Sequence, residues 1–400
     1  MKQKQFKKLV TRFSPILLNG FRSILNPVYA IAFSYVIVTY FSKELWGNFV
    51  EYLLFFFIVS LISNWGSKTY LMRAFSQSPK NIVADWQELF LARLPICLVC
   101  VTIVPFIYEL SIAISLSLWI LSAYIYISFL PIVFYNRDYK RIIFIETIGF
   151  FALIIQLVFY KDALDLTLLI RSYAISIVIK VMACIIYYNS FLKFKHIRFN
   201  PKVLKLSFPF FLLGISGFLQ SKIDIYAYSL FFEGKPLGEY QIISGFIIFS
   251  QSVVMLLMFP YIKNVYRMTS KSINSLKKNI AIYGFILNTI IMICIYIALL
   301  FFDIELTLFQ LILGFIIGYP CYIYTLDILI YFKTYKEKIV ILISGISLTI
   351  NFLLSIVFLY LNYNITGVLA ANAIAQIFAL SYYLWLRKKH NPVVNLKTDN

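Results

Sequence analysis

The sequence predicts an all-α membrane protein of about twelve transmembrane helices, and three observations carry that expectation. The 400 residues are 61% apolar and only 13% charged, with a mean hydropathy of +0.84, which leaves too little polar sequence to coat a soluble globule. The apolar runs repeatedly reach the roughly 20 residues that a helix needs to cross a hydrocarbon core of about 30 Å. The lysines and arginines concentrate in alternate connections between those runs, as they do when one side of a bilayer retains them. Porin-type barrels are excluded, because their strands are about 10 residues long and alternate in polarity.

In chain order the spans fall near 16–40, 49–71, 86–108, 111–135, 141–160 and 166–188, then 206–231, 239–262, 279–302, 305–331, 339–361 and 365–386. This divides the chain into an N-terminal six-helix lobe, 1–195, and a C-terminal six-helix lobe, 196–400. Two splits rest on little sequence. Spans three and four are separated only by Tyr108, Glu109, Leu110 and Ser111, and spans nine and ten by 303–305. Each pair reads as a tight hairpin or a re-entrant pair.

The basic residues set the orientation. With the N-terminus inside, the cytoplasmic segments hold Lys2 to Arg12, Arg73 and Lys80, Arg137 to Arg141, Lys193 to Lys205, Lys263 to Lys278, Lys333 to Lys338 and Arg387 to Lys397. The outer connections hold only Lys43, Lys161 and Lys235. Both termini are therefore expected in the cytoplasm. The net charge of +19, which in a soluble protein points to nucleic acid, here marks topology, and no nucleic-acid partner is expected. The apolar stretch after the basic N-terminus is too long for a secretory signal and has no small-residue cleavage site.

Several chemistries lack their residues. The five cysteines lie in or at the ends of spans, and the Cys97–Cys100 spacing has neither a second pair nor a thioredoxin-like context. The two histidines, His196 and His390, fall in cytoplasmic segments, so no metal site and no cofactor is expected. No connection carries a glycine-rich phosphate cradle or a nucleophile motif, and the chain does not read as an enzyme.

What topology leaves unexplained is a set of charges inside the spans: Arg22, Lys68, Arg93, Arg171, Lys180 and Lys222, with Glu146, Asp224 and Asp327. A charge at a helix centre costs about 2.5–3.5 kcal/mol on insertion scales, so such residues face a partner or a water-filled cavity. Lys68, Arg93 and Arg171 lie close enough to span ends for snorkelling or pairing to compete with a place in a lumen. Lys222 stands nine residues before Phe231, about 13 Å from the span end, where snorkelling is difficult. Polar residues recur beside these charges at helical spacing: Asn19, Arg22 and Asn26; Ser60, Asn64 and Lys68; Ser172, Ser176 and Lys180; Gln220 and Asp224. Uncharged stripes such as Ser347, Asn351 and Ser355 read first as helix packing. Lys222 and Asp224 are about 200° apart on an ideal helix, so they do not share one wall unless the helix is distorted.

An internal repeat relates the halves. Leu45, Trp46, Gly47, Asn48 and Phe49 follow span one, and Pro236, Leu237, Gly238, Glu239 and Tyr240 follow span seven, a register of 191 residues. Two halves in the same orientation are related by an axis along the membrane normal.

Three stretches resemble a known family. The first runs from Leu45, Trp46 and Gly47 through Asn64, Trp65 and Gly66 to Arg73; the second joins Phe208, Pro209, Asp224, Gly238, Tyr240 and Pro260; the third sets Asn351 about one helix before Gly367, Ala370 and Ala371. Together they look like the polysaccharide exporters and Wzx-type O-antigen flippases of the multidrug/oligosaccharidyl-lipid/polysaccharide superfamily. The sequence departs from many relatives at Asn64, Trp65 and Gly66, where they carry an acidic residue.

The resemblance implies two six-helix lobes around a central cleft. It also implies a bacterial cytoplasmic (inner) membrane protein that flips an undecaprenyl-diphosphate-linked oligosaccharide to the outer leaflet. Its partners would be that lipid-linked oligosaccharide, membrane lipids, and a polysaccharide polymerase with a chain-length regulator. A cationic lumen suits an anionic diphosphate. The candidate substrate-binding residues are Arg22 and Lys222 first, then Lys68 and Lys180, with Arg93, Asn19, Asn26, Asn64 and Gln220. Asp224, Glu146 and Asp327 are candidates for ion coupling, with ion pairing inside the protein the competing reading for Glu146 and Asp327. A drug or small-molecule exporter of the same superfamily is the alternative, and a membrane polysaccharide polymerase a third. An exporter of cationic drugs calls for an acidic lumen and a polymerase for a long outer loop, and the sequence offers neither.

Overall fold

Among the described residues thirteen α-helices follow one another: α1 (Lys2–Tyr40), α2 (Lys43–Asn64), α3 (Ser67–Gln77), α4 (Ile82–Ile107), α5 (Leu110–Asn136), α6 (Tyr139–Phe159), α7 (Leu166–Tyr187), α8 (Lys202–Ser229), α9 (Lys235–Val265), α10 (Ser270–Leu300), α11 (Leu308–Lys333), α12 (Glu337–Tyr360) and α13 (Asn364–His390). The computed structural model describes residues 2–193, 199–265, 268, 270–334 and 336–390. His196 and the basic residues Lys195, Arg198, Arg267 and Lys397 lie outside them. Eleven segments among the described residues are long and apolar enough to cross a membrane, with α2 and α3 counted as one. Helix α9, at 31 residues, adds a twelfth of sufficient length.

Both short splits are hairpins of full-length helices, not re-entrant pairs. Helix α4 stops at Ile107, Tyr108 is extended, and α5 starts at Leu110. Between α10 and α11 the connection tucks in Phe302, Ile304 and Leu306. Thr307 and Gln310 then cap α11 reciprocally, with the Thr307 N–H donating to Gln310 Oε1 at 2.9 Å and the Gln310 N–H to Thr307 Oγ1 at 3.2 Å. That exchange satisfies two donors at a helix start, where no carbonyl one turn back is available. The two copies of the repeat occupy equivalent places, since Trp46 and Leu237 are buried in the first turns of α2 and α9.

By their contacts the helices form two units, Met1–Ile215 and Ser216–Asn400, divided within α8. In the first unit α5 packs on α7, α4 and α3, and α1 lies along α6 and α2. Its core is aromatic: Phe33, Trp46, Phe49, Trp119 and Tyr173 interlock with ring centroids 4.6–5.8 Å apart. Such pairs are favoured beyond their area alone. In the second unit α11 is central, packed by α13, α10 and α9. One cluster there joins Tyr322, Leu326 and Ile330 to Val254 and Ile280, and another joins Tyr324 and Tyr331 to Val340, Ile343 and Tyr383.

One span is broken. Helix α2 ends where Trp65 (φ 46°) and Gly66 (φ 67°) both take left-handed backbone, and α3 resumes at Ser67. A break buried in the protein, as the buried Ser63 and Ser67 beside it show this one to be, survives only if its freed carbonyls find donors. Arg93 from α4 supplies them, donating through Nη1 to the carbonyls of Ser63 and Asn64 at 3.3 and 3.2 Å. Trp65, a costly residue at positive φ, is anchored by its indole N–H to the Leu204 carbonyl at 3.0 Å and by stacking on Phe211 at 4.3 Å. Gly66 allows both the turn and the approach of α8, since a Cβ there would stand 2.6 Å from the Phe210 carbonyl carbon.

Gly66→Ala is therefore expected to destabilise the protein by about 2 kcal/mol or more, from the left-handed backbone and the clash together. Thermal unfolding in detergent reads the effect, and a melting temperature equal to wild type would contradict this account of the break.

Candidate functional site

The intramembrane charges sort by what they touch. Arg93 is almost fully buried at 1% exposure. Besides the two carbonyls at the break it donates to Ser128 Oγ at 2.9 Å and to the Leu89 carbonyl at 3.3 Å. Its guanidinium also lies 5.2 Å from the Tyr124 ring. The structure thus places this sequence candidate in the support of span two, with its donors committed to protein. Asn64 belongs to the same support, because its side-chain oxygen accepts from Ser67 Oγ.

Lys180 and Glu146 form a pair. Lys180 Nζ lies 2.7 Å from Glu146 Oε2, with side-chain exposures of 19% and 6%. Glu146 also accepts from the Tyr126 hydroxyl, and from Asn26 Nδ2 at 3.5 Å. The carboxylate thereby ties α1, α5, α6 and α7 together. Gly149, one turn along α6, leaves the space that the Lys180 stem fills, since a Cβ there would collide with it. Tyr29 adds a second α1–α6 contact through Thr147 at 2.7 Å and by stacking on Phe150 at 4.3 Å. Ser172 and Ser176, the other members of the Lys180 stripe, are buried in the packing.

The rotation of α1 fixed by these contacts directs Arg22, one turn from Asn26, to the end of α5. There the Arg22 guanidinium stands 4.6 Å from the Phe134 ring centroid, and Lys68 Nζ from α3 stands 4.3 Å from the same ring. Among the described residues neither cation has a carboxylate within ion-pair distance. Arg22 Nε is buried without a hydrogen-bond partner. Two like charges gathered at one ring repel each other, and a nearby anion relieves both. Asn19, one turn before Arg22, is half-buried and has a bonding partner of its own. The exposed Arg171 belongs to no such group.

In the second unit Asp224 is 4% exposed. It accepts from the Tyr240 hydroxyl at 2.8 Å, Ser244 Oγ at 3.1 Å and its neighbour's backbone N–H at 2.9 Å. It lines a polar pocket with Gln220, Ser221, Ser244, Gln251 and Asn372. Lys222, half-buried, is near enough to feel its charge. Asp327 is paired twice, with Lys277 Nζ at 2.7 Å and with the Arg387 guanidinium, whose Nε is 2.8 Å away. Outside the spans, Tyr188 donates to Asp138 at 3.1 Å. Burial first, and the Asp138 carboxylate second, push that hydroxyl well above the usual tyrosine range.

Sequence reasoning missed Phe134, Tyr126, Ser244 and the partners of Asp327. Ser244 follows the motif residue Tyr240 by four positions, a helical spacing that flags it. Nothing in the sequence distinguishes Phe134 or Tyr126 from the many other aromatics.

The class of fold is now defined by comparison. No family model matches the sequence, and no curated protein does. Among solved structures, the chain is similar to "Lipid II flippase MurJ, inward closed conformation", with a TM-score of 0.68, 17% identity, and coverage of 93% of this chain and 87% of that one. It is also similar to a multidrug resistance MATE family transporter of the MOP superfamily in an inward-facing conformation, with a TM-score of 0.55, 12% identity, and coverage of 92% and 96%. The chain has the multi-pass helical fold of these two structures.

The Glu146–Lys180 pair gives a test. Lys180→Met leaves a carboxylate buried without its cation and is expected to cost about 3–5 kcal/mol, whereas Glu146→Gln combined with Lys180→Met restores most of it. Melting temperatures of the single and double variants check this, and additive losses would contradict the pairing.

Proposed function

We propose that the protein is a flippase for an undecaprenyl-diphosphate-linked oligosaccharide, an O-antigen or capsule repeat unit. It moves this cargo from the cytoplasmic to the outer leaflet of a bacterial inner membrane by alternating access coupled to an ion gradient. The observation that carries the reading is the pair of cations, Arg22 and Lys68, held at the Phe134 ring with no carboxylate within ion-pair distance among the described residues. A diphosphate diester brings two negative charges, which two neighbouring cations offset. The likeness to a lipid II flippase supports a cargo carried on a lipid. Asp224, buried in its polar pocket, is the proposed coupling carboxylate, because Glu146 and Asp327 are already held by cations. Lys222 is proposed to serve the substrate beside it.

The likeness to a multidrug transporter favours an exporter as the second reading. Cationic drugs call for free carboxylates, and in the first unit it is the cations that are left over. A polymerase calls for a long outer loop, and the connections expected outside, 41–42, 108–109, 160–165, 230–234, 301–307 and 361–363, are all short.

Arg22→Ala and Lys222→Ala are each expected to abolish surface polysaccharide while the protein still accumulates in the membrane. Immunoblotting of polysaccharide and protein from the same cells reads both, and wild-type polysaccharide in either variant contradicts the proposed role of that residue.

A further inference from the structure

We propose that the cluster of Lys277, Asp327 and Arg387 in the second unit binds the phosphate headgroup of an anionic phospholipid. Three helices meet at Asp327, which is 3% exposed. Lys277 of α10 takes one carboxylate oxygen at 2.7 Å, and Arg387 of α13 takes the other through Nε and Nη2. Arg387 Nη2 also donates to the Ile323 carbonyl at 2.6 Å. The guanidinium is therefore fixed by α11, and its Nη1 makes no hydrogen bond among the described residues.

A structural clamp alone accounts for the buried carboxylate but not for the charge balance. One carboxylate holds two cations, so the cluster keeps a net charge of about +1 at neutral pH. Lys388 and Lys389, both exposed, add to it. The arrangement is open on one side, with Arg387 25% and Lys277 12% accessible. A phosphodiester monoanion matches the surplus and the spare fork of the arginine.

Depth selects a lipid over a soluble anion. Lys277 lies five residues inside its span, Asp327 four and Arg387 two, which at 1.5 Å per residue puts them about 3–8 Å below the span ends. Segments of 24–29 residues are longer than a hydrocarbon core of about 30 Å requires, so their end turns reach the headgroups. Beside them Lys389 stands 4.9 Å from the ring of Trp385, which is 49% exposed. An exposed tryptophan paired with a lysine is the usual anchor at a membrane interface. Basic pockets between helix ends at this depth are where anionic headgroups dock.

The test uses the purified full chain in nanodiscs of neutral phosphatidylcholine, titrated with phosphatidylglycerol, with bound lipids counted by native mass spectrometry. Wild type is expected to retain phosphatidylglycerol in preference to phosphatidylcholine. In Lys388→Gln/Lys389→Gln the affinity should fall about fivefold per lysine removed, at an unchanged melting temperature in phosphatidylcholine. Arg387→Lys keeps the pair with Asp327 but loses the fork, and should weaken phosphatidylglycerol binding as well. Equal retention of the two lipids by wild type, or wild-type affinity in the lysine variant, overturns the proposal. Displacement of phosphatidylglycerol by millimolar inorganic phosphate reassigns the cluster to a soluble anion and overturns it too.

Discussion

A charge or an unpaired backbone group in hydrocarbon is expensive, by several kcal/mol for each group, and this requirement organises the whole molecule. It explains why the break in span two exists only with a guanidinium beside it. Arg93 satisfies the carbonyls that the left-handed turn at Trp65 and Gly66 releases, and those carbonyls in turn hold Arg93 in a place without an acid. The same requirement joins Lys180 to Glu146 and sets Lys277 and Arg387 around Asp327. Each of these groups ties together helices distant in sequence, so each contributes to packing as well as to charge balance.

Arg22 and Lys68 belong to none of those groups, and their position is a product of the packing. Asn26 and Tyr29 fix the face of α1 against α6, and the break in span two redirects the chain just before Lys68. The two cations meet at Phe134 because of both. Substitutions far from that ring are thus able to displace the cations, and a functional loss alone does not show contact with cargo.

Hydropathy made the spans legible, because length and apolarity are properties of the local chain. The charged residues within spans were legible for the same reason. Their partners were not. Arg93 and Lys68 read alike in sequence, as cations near span ends, yet one is committed to carbonyls and the other lies on a ring; only the fold of α2 and α3 separates them. Lys277 and Arg387 read as topological charges, since nothing in a linear pattern reveals that α10 and α13 converge on Asp327. Asn64, Trp65 and Gly66 were recognised as a motif, but that the motif breaks the helix depends on Arg93 and on Leu204 and Phe211 of α8.

The most direct measurement is lipid binding to the purified protein by native mass spectrometry, comparing undecaprenyl diphosphate, undecaprenyl monophosphate and an uncharged polyprenol. Retention of the diphosphate above the other two, lost in Arg22→Ala/Lys68→Ala at an unchanged melting temperature, is the expected result. Equal retention of the uncharged polyprenol, or full diphosphate binding by that double variant, would contradict recognition of the cargo by the two cations on Phe134.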